Sequence, residues 1–575
     1  MKNAKKHGFS ILAGLLSIAL LSCASGASSG SAARAGGAEF LSTVSWDAEY
    51  DVVVIGFGGA GATAALTAAN TGARVLLLEK APKGEEGGNT RYSGQLVLSA
   101  KDREKAITYY KAMRGNYNNQ SDEVIEYIVD GSIENRSWLI NDLGVEESRL
   151  VYLDYIEYPD LPGSDGISTL IIDGEISTAK LWNLLVKKVT EHSKIDVWYS
   201  SPAVQLVQDK NTKIVHGVKV ENGGKLYNVR AVNGVVMAMG GFENSDEMLE
   251  NYAQLADAHS KGARYNTGDG IKMAIDVGAD LWHMSALSGP DINFVNPETG
   301  IVCGYLFTNA RPTHYSTGFV AHNVIIVGND GTRFMNETIE PKHGHIKTGG
   351  TYFSLLIPQN SWCVFDETAR NTTPAYLSWS QGMVEEIAKG WVIKANTLQE
   401  LAVKMDINSA NLAKTISDYN RYCAQGNDPD FHVDPQYLKP IATGPFYGIP
   451  LKATLTNTQG GAKRNIECEV LDPWNKPIPH LYSAGEFGSF FADIYNGGGN
   501  VGECAFTGRT AGTNAAAPKQ DTAAVSVMGN RPPVDLRLKG EAAVSTGPGE
   551  YLGTAFGIGG ELIVKVRMDN RRIVS

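Results

Sequence analysis

The segment Asp51-Val52-Val53-Val54-Ile55-Gly56-Phe57-Gly58-Gly59-Ala60-Gly61 constrains this chain more than any other part of it. Its β-branched start suits a strand buried on both faces, and residues 62–70 are an Ala-rich helical stretch. G-x-G-x-x-G therefore stands where it carries meaning, with a strand before it and a helix after it. Gly56 allows the tight turn and Gly58 lets the backbone approach a pyrophosphate. Gly61 lets the helix pack on the strand, while the first helical amides, around Ala60, face the anion. A second apolar strand over 74–78 ends in Glu79, 23 residues after Gly56, where a carboxylate can accept from ribose hydroxyls and disfavours a 2′-phosphate. Strand, helix and acid together predict a dinucleotide site.

Composition narrows the partner. Glycine supplies 63 of 575 residues, about 11% against about 7% in average usage, so many positions need positive φ or a backbone pressed close to something else. The net charge is −11 with no basic tract beyond the N-terminus, which argues against nucleic acid held through its phosphates. A small molecule is the expected partner. Hydrophobic residues at 43% and charged residues at 20% exclude disordered, collagen-like and polytopic membrane chains.

Residues 1–22 are expected to be an export signal: Lys2, Lys5 and Lys6 precede an apolar run of 13 residues, 9–21. That run is too short to cross a bilayer core of about 30 Å as a helix. Leu20-Leu21-Ser22-Cys23 resembles the lipobox of bacterial lipoproteins, which implies membrane attachment through a lipidated Cys23, a Ser/Ala/Gly-rich tether over 23–48, and an exported, cell-envelope location on the periplasmic or outer face of the membrane. An ordinary cleaved signal is the alternative. The other five cysteines, Cys303, Cys363, Cys423, Cys468 and Cys504, are scattered and include no C-x-x-C, so no haem, iron–sulfur or metal site is expected. Any redox chemistry needs an organic cofactor.

Beyond Glu79 and Lys80, the run Gly87-Gly88-Asn89-Thr90-Arg91-Tyr92-Ser93-Gly94 offers small and hydrogen-bonding residues able to wrap a flavin. Here the chain resembles the flavoprotein subunits of fumarate reductases and succinate dehydrogenases, a family that includes fumarate and urocanate reductases and 3-ketosteroid dehydrogenases. The resemblance continues through Ser201-Pro202-Ala203-Val204, a strand running into Gly240-Gly241, Thr267-Gly268-Asp269-Gly270, Arg333-Phe334-Met335-Asn336-Glu337, Ala484-Gly485-Glu486 and Gly497-Gly498-Gly499-Asn500-Val501. It implies FAD as cofactor, held by Gly56, Gly58, Ala60, Gly61, Glu79, Lys80, Gly88, Asn89, Thr90, Ser93, Gly94, Val204, Gly240, Asp269, Glu486, Asn500 and Val501. Members that bind FAD covalently use a histidine in the segment matching 88–94; none stands there, so the FAD is expected to be non-covalent.

The motif order implies an α/β protein in which a Rossmann-like FAD-binding domain in two sequence pieces, 49–285 and 445–515, carries an inserted α+β capping domain over 286–444. A linker is expected over 516–548. Residues 549–575 read as two strands around a glycine turn and resemble the opening of an FMN-binding domain. FMN is expected only if that domain is completed by further chain; a terminal hairpin without a cofactor is the rival reading.

On the substrate side, the family's proton-donating arginine falls on Pro341, beside Lys342, and its dicarboxylate-binding histidine falls on Asn457. The second clamping arginine is missing from Tyr495-Asn496-Gly497-Gly498-Gly499. Fumarate itself is therefore not expected. Tyr495 with its glycine run resembles the tyrosine and glycine amide with which ketosteroid dehydrogenases bind a carbonyl oxygen, and Lys342, His343 and His345 are candidate proton sources. The expected activity is reduction of an α,β-unsaturated acid or ketone by a hydride from flavin N5, with electrons from an external donor protein or a quinone-linked chain. A ketosteroid-type dehydrogenase working oxidatively, or a non-catalytic flavin-binding fragment, are the alternatives.

Overall fold

The computed structural model describes residues 44–115, 120–303, 323–339, 341–372, 374–376 and 378–520, together with the backbone of four terminal strands, Glu39–Phe40, Glu550–Gly557, Gly560–Asp569 and Arg572–Ile573. The export segment, Cys23 and the expected linker beyond Gln520 lie outside the described residues. The last three strands form an antiparallel sheet in which Gly557 stands opposite Gly560.

Strand Ala48–Ile55 sits in the middle of a nine-stranded sheet, and Val52, Val53 and Val54 have no exposed surface. Its parallel core runs Pro477–Ser483, Lys225–Met237, Ala48–Ile55, Val75–Leu78, Ile195–Trp198. Strands from 48–237 and from 477–483 thus share one sheet, as a Rossmann-like domain in two sequence pieces requires. Helices Gly59–Asn70, Lys180–Glu191 and Gly499–Ala516 cover one face through a core of Ala, Val and Leu. The opposite face packs on Phe242, Ile271 and Leu287. Burial on both faces explains why these strands read as unbroken apolar runs.

A second, six-stranded sheet is organised around Phe446–Leu455, which pairs with Ser361–Asp366, Ile393–Ala395, Asp291–Asn293 and His259–Ser260. The strand belongs to the inserted domain's sheet because its residues find hydrogen-bonding neighbours there, and the first-domain sheet is rejoined at Glu469–Leu471 and Pro477–Ser483. Helices Leu398–Met405 and Ser409–Gln425 close one face of it with Leu401, Leu412 and Ile416. Arg333, in one of the segments that carry the resemblance, is a pin of this domain. It is paired with Glu337 at 2.6 Å and Asp428 at 3.0 Å, between the rings of Tyr419 and Phe431.

Candidate active site

A cleft of about 860 Å³, open to solvent, lies at the carboxyl ends of the parallel strands, the position where such sheets bind ligands. Three glycines of the first turn account for its shape. A Cβ on Gly56, at φ +101°, would lie 2.3 Å from Ala238 O, and one on Gly61 would lie 1.8 Å from Gly56 O. Both glycines are required by the protein's own backbone. A Cβ on Gly58 would meet nothing closer than Gly87 O at 3.6 Å, an ordinary contact, so this cleft-lining glycine is not required by the protein's own backbone. Glu79 lines the cleft and accepts from the amides of Phe57 at 2.9 Å and Ala81 at 2.7 Å. Burial raises its pKa while those amides oppose the rise.

Of the expected cofactor residues, Gly56, Gly58, Ala60, Glu79, Lys80, Gly88, Asn89, Thr90, Gly240, Asp269 and Glu486 line the cleft. Lys80 and Asp269 do so as an ion pair of 2.7 Å. Gly61 lies behind the wall. Ser93 caps the short helix Gly88–Tyr92 by donating to Thr90 O, and Gly94 accepts from the Ser177 amide. The strand expected to contribute Val204 presents Ser201, Pro202 and Ala203 to the cleft instead. Asn500 starts the helix Gly499–Ala516, followed by Val501.

Sequence reasoning marked Glu486 but missed Glu243, the buried carboxylate with which it shares a donor beside the cleft. Asn89 Nδ2 donates to both Glu243 Oε1 at 2.7 Å and Glu486 Oε2 at 3.0 Å. Asn266 also donates to Glu243 and Asn457 to Glu486. Burial, then the neighbouring Glu243, push Glu486 up to about 8, and burial raises Glu243 as well. Asn457 and Gln459 each commit their amide nitrogen, to Glu486 and Asn500 respectively, and each leaves a buried amide oxygen with no protein donor. An acceptor without a donor costs about 1–3 kcal/mol. A flavin ring, which carries its own N–H, has the chemistry to relieve it, and with the glycine-lined first turn these residues fit FAD.

From Gln459 the contacts lead to the expected catalytic residues. Asn500 Nδ2 donates to the Tyr495 hydroxyl at 3.1 Å, and the buried Tyr495 ring stacks on His343 with centroids 4.0 Å apart and 23° between planes. His343 and Gly344 are the centre of a tight turn closed by reciprocal backbone bonds between Lys342 and His345. Both have positive φ, +48° and +78°, as in a type I′ turn. Glycine does this freely; a histidine held there is strained, and such strain concentrates at functional sites. His343 Nε2 meets Glu157 Oε2 at 2.7 Å and its Nδ1 meets Ser288 Oγ at 2.9 Å. His345 is buried with Nδ1 on the His343 carbonyl, and burial lowers its pKa. The structure thus joins Tyr495 and His343 directly, and brings in Glu157 and Ser288, which no motif marks.

A family model described as FAD binding domain matches residues 51–501. The chain belongs to the FAD binding domain family. Among its curated relatives are a urocanate reductase of Eggerthella lenta, 29% identical over 82% of this chain and 75% of that one, and a vinyl phenol reductase of Lactiplantibacillus plantarum, 28% identical over 81% and 96%. A solved flavocytochrome c3 fumarate reductase in its open conformation superposes with a TM-score of 0.60 at 26% identity, covering 82% of this chain and 78% of that one. This member of the FAD binding domain family is an FAD-dependent oxidoreductase acting on CH–CH bonds.

Proposed function

We propose that the protein reduces the activated C=C bond of an α,β-unsaturated monocarboxylic acid or ketone. The observation that carries this reading is the Gln459–Asn500–Tyr495 hydrogen-bond chain, which ends on His343 and starts two residues from Asn457, itself bonded to Glu486 of the cleft. Bound FAD supplies a hydride to the β-carbon. The Tyr495 hydroxyl donates to the substrate carbonyl oxygen, stabilising the enolate that develops there without introducing a full charge. The cluster around His343 supplies the proton for the α-carbon. The relatives' names, urocanate reductase and vinyl phenol reductase, favour the reductive direction over steroid dehydrogenation.

Fumarate is a poor fit for physical reasons. Pro341 and Asn457 carry no charge and the buried Arg464 is committed to Glu503 at 2.6 Å, so none of these positions offers a cation to clamp a second carboxylate. Anaerobic mixing of the reduced protein with a panel of unsaturated acids and enones tests this. Rapid flavin reoxidation by a monocarboxylate or enone, with slow reoxidation by fumarate, is expected; preference for fumarate contradicts the substrate class, and reduction of the oxidised protein by a saturated ketosteroid contradicts the direction.

The FAD is held non-covalently in this reading. No histidine lines the cleft among the described residues. Burial raises the Cys504 thiol and, with Glu85, pushes Tyr265 up to about 12, so both stay protonated. Acid precipitation should release all the FAD, and yellow colour kept in the pellet contradicts this. Export and anchoring through lipidated Cys23, with electrons from an envelope donor protein or a quinone-linked chain, complete the proposal. Cys23→Ser should shift the protein from the membrane to the soluble fraction; an unchanged distribution contradicts the anchor.

A further inference from the structure

We propose that the proton delivered to the α-carbon leaves from the Ser288 hydroxyl and is replaced from His343, with Glu157 holding the imidazole, so that Glu157, His343 and Ser288 form a proton relay. The inference rests on the C=C reductase reading above and assigns the last atom of its proton path.

Both ring nitrogens of His343 are occupied, Nε2 by Glu157 Oε2 at 2.7 Å and Nδ1 by Ser288 Oγ at 2.9 Å. A proton on this ring therefore has two ways out. Stacking against Tyr495 covers one face of the ring. The Glu157 end is built to keep its charge. Burial opposes ionisation, but His343, Lys342 and the Gly497 amide at 2.6 Å outweigh it and hold the carboxyl below the usual range. A carboxylate held this way stabilises an imidazolium and has no call on its second proton. Ser288 is the outlet.

The position of Ser288 supports the same direction. It stands directly opposite Asn457 in an antiparallel pair, and opposed residues project from the same face of a ladder. Asn457 donates to Glu486 of the FAD cleft, so Ser288 bonds the imidazole while its ladder partner bonds a cleft residue. The loop is fixed there by backbone: the Gly289 amide donates to His343 O at 3.0 Å, and a Cβ on Gly344 would lie 1.8 Å from the Gly289 carbonyl carbon.

The balance closes. Two electrons and one hydrogen enter at the β-carbon as hydride, and the π pair moves to the α-carbon. There a C–H bond forms as the Ser288 O–H bond breaks. Ser288 Oγ takes the Nδ1 proton, leaving neutral imidazole with its Nε2–H on Glu157. One solvent proton restores the imidazolium, so each turnover consumes one hydride and one proton.

The groups facing His343 are Glu157, Ser288 and Tyr495, with Lys342 and His345 on its own turn and Asp493 facing His345. The test compares Ser288→Ala, Ser288→Thr and Glu157→Gln with the parent, each loaded with FAD. It measures bound FAD, the single-turnover rate of flavin reoxidation by the best alkene across pH, and the 15N shifts of the His343 ring without substrate. Ser288→Ala should keep its FAD, shift the Nδ1 resonance and lower the rate at least tenfold. Ser288→Thr, which keeps a hydroxyl, should recover to within about threefold of the parent. Glu157→Gln should lower the rate while keeping its FAD, because the imidazolium loses its counter-charge. Parental rate and pH profile in Ser288→Ala, or a threonine variant as slow as the alanine one, overturns the relay and leaves the reductase reading intact. A parent that reduces no alkene overturns both.

Discussion

The cofactor cradle takes its walls largely from backbone and small residues in a few contiguous segments, 56–60, 79–90, 201–203 and 238–240, whereas the cluster around His343 takes one side chain each from positions 157, 288, 343 and 495. In the cradle, a glycine is specified by what a Cβ would strike. In the cluster, each residue is specified by a partner more than 50 positions away in the chain. The cradle can therefore tolerate few substitutions while serving any substrate, and the cluster can be rebuilt one side chain at a time on an unchanged fold.

The largest expected effect is on the cradle itself. Gly61→Val places a side chain into the Gly56 carbonyl, which a Cβ alone would approach to 1.8 Å. It should destabilise the protein by roughly 4 kcal/mol or more, as clashes with rigid backbone do; chemical denaturation checks it, and parental stability would show that the turn relaxes freely. Gly58→Val separates ligand from fold, since its Cβ has no protein atom within 3.5 Å. The apo form should keep its stability while FAD binds at least tenfold more weakly, about 1.4 kcal/mol; equal losses in both would erase the distinction between Gly58 and its neighbours.

A smaller effect concerns the carboxylate pair at the wall between the two regions. Glu486 is pushed up to about 8 by burial and Glu243, from an ordinary value near 4.5. The folded apo protein therefore holds a proton that the unfolded chain releases between about pH 4.5 and 8, so this group's contribution is complete below that window and is lost as pH rises through it. Denaturation across pH 5 to 8 should show stability falling, and Glu486→Gln, which cannot ionise, should flatten the slope. An unchanged slope would place the proton elsewhere.

The sequence made the cradle legible because its chemistry is local. Gly56, Gly58 and Gly61 sit between a strand and a helix that can be recognised from their own residues, and the carboxylate of Glu79 closes the unit. Tyr495 and His343 were marked by motif and by chemistry, yet nothing in the sequence links them; their stacking depends on the turn at 342–345 docking on Gly289. Glu157 and Ser288 lie outside every motif, and only the tertiary fold brings them to the two nitrogens of one imidazole. The neighbours of strand Phe446–Leu455 were illegible for a related reason: its apolar pattern declares a buried strand but not which strands it pairs with. The Arg333 motif shows the reverse case, a recognisable pattern whose residues are spent on holding the inserted domain together.

The most direct test of the division between cradle and cluster is stopped-flow reoxidation of Tyr495→Phe beside the parent, both fully loaded with FAD, using the best alkene substrate. Phe keeps the ring that stacks on His343 and removes the hydroxyl that Asn500 meets. FAD content should be unchanged while the rate falls at least roughly tenfold, about 1.4 kcal/mol, rising toward about 2.7–4 kcal/mol if the hydroxyl acts as a full oxyanion donor. Parental kinetics in the FAD-loaded variant would contradict the account and leave Tyr495 as packing alone.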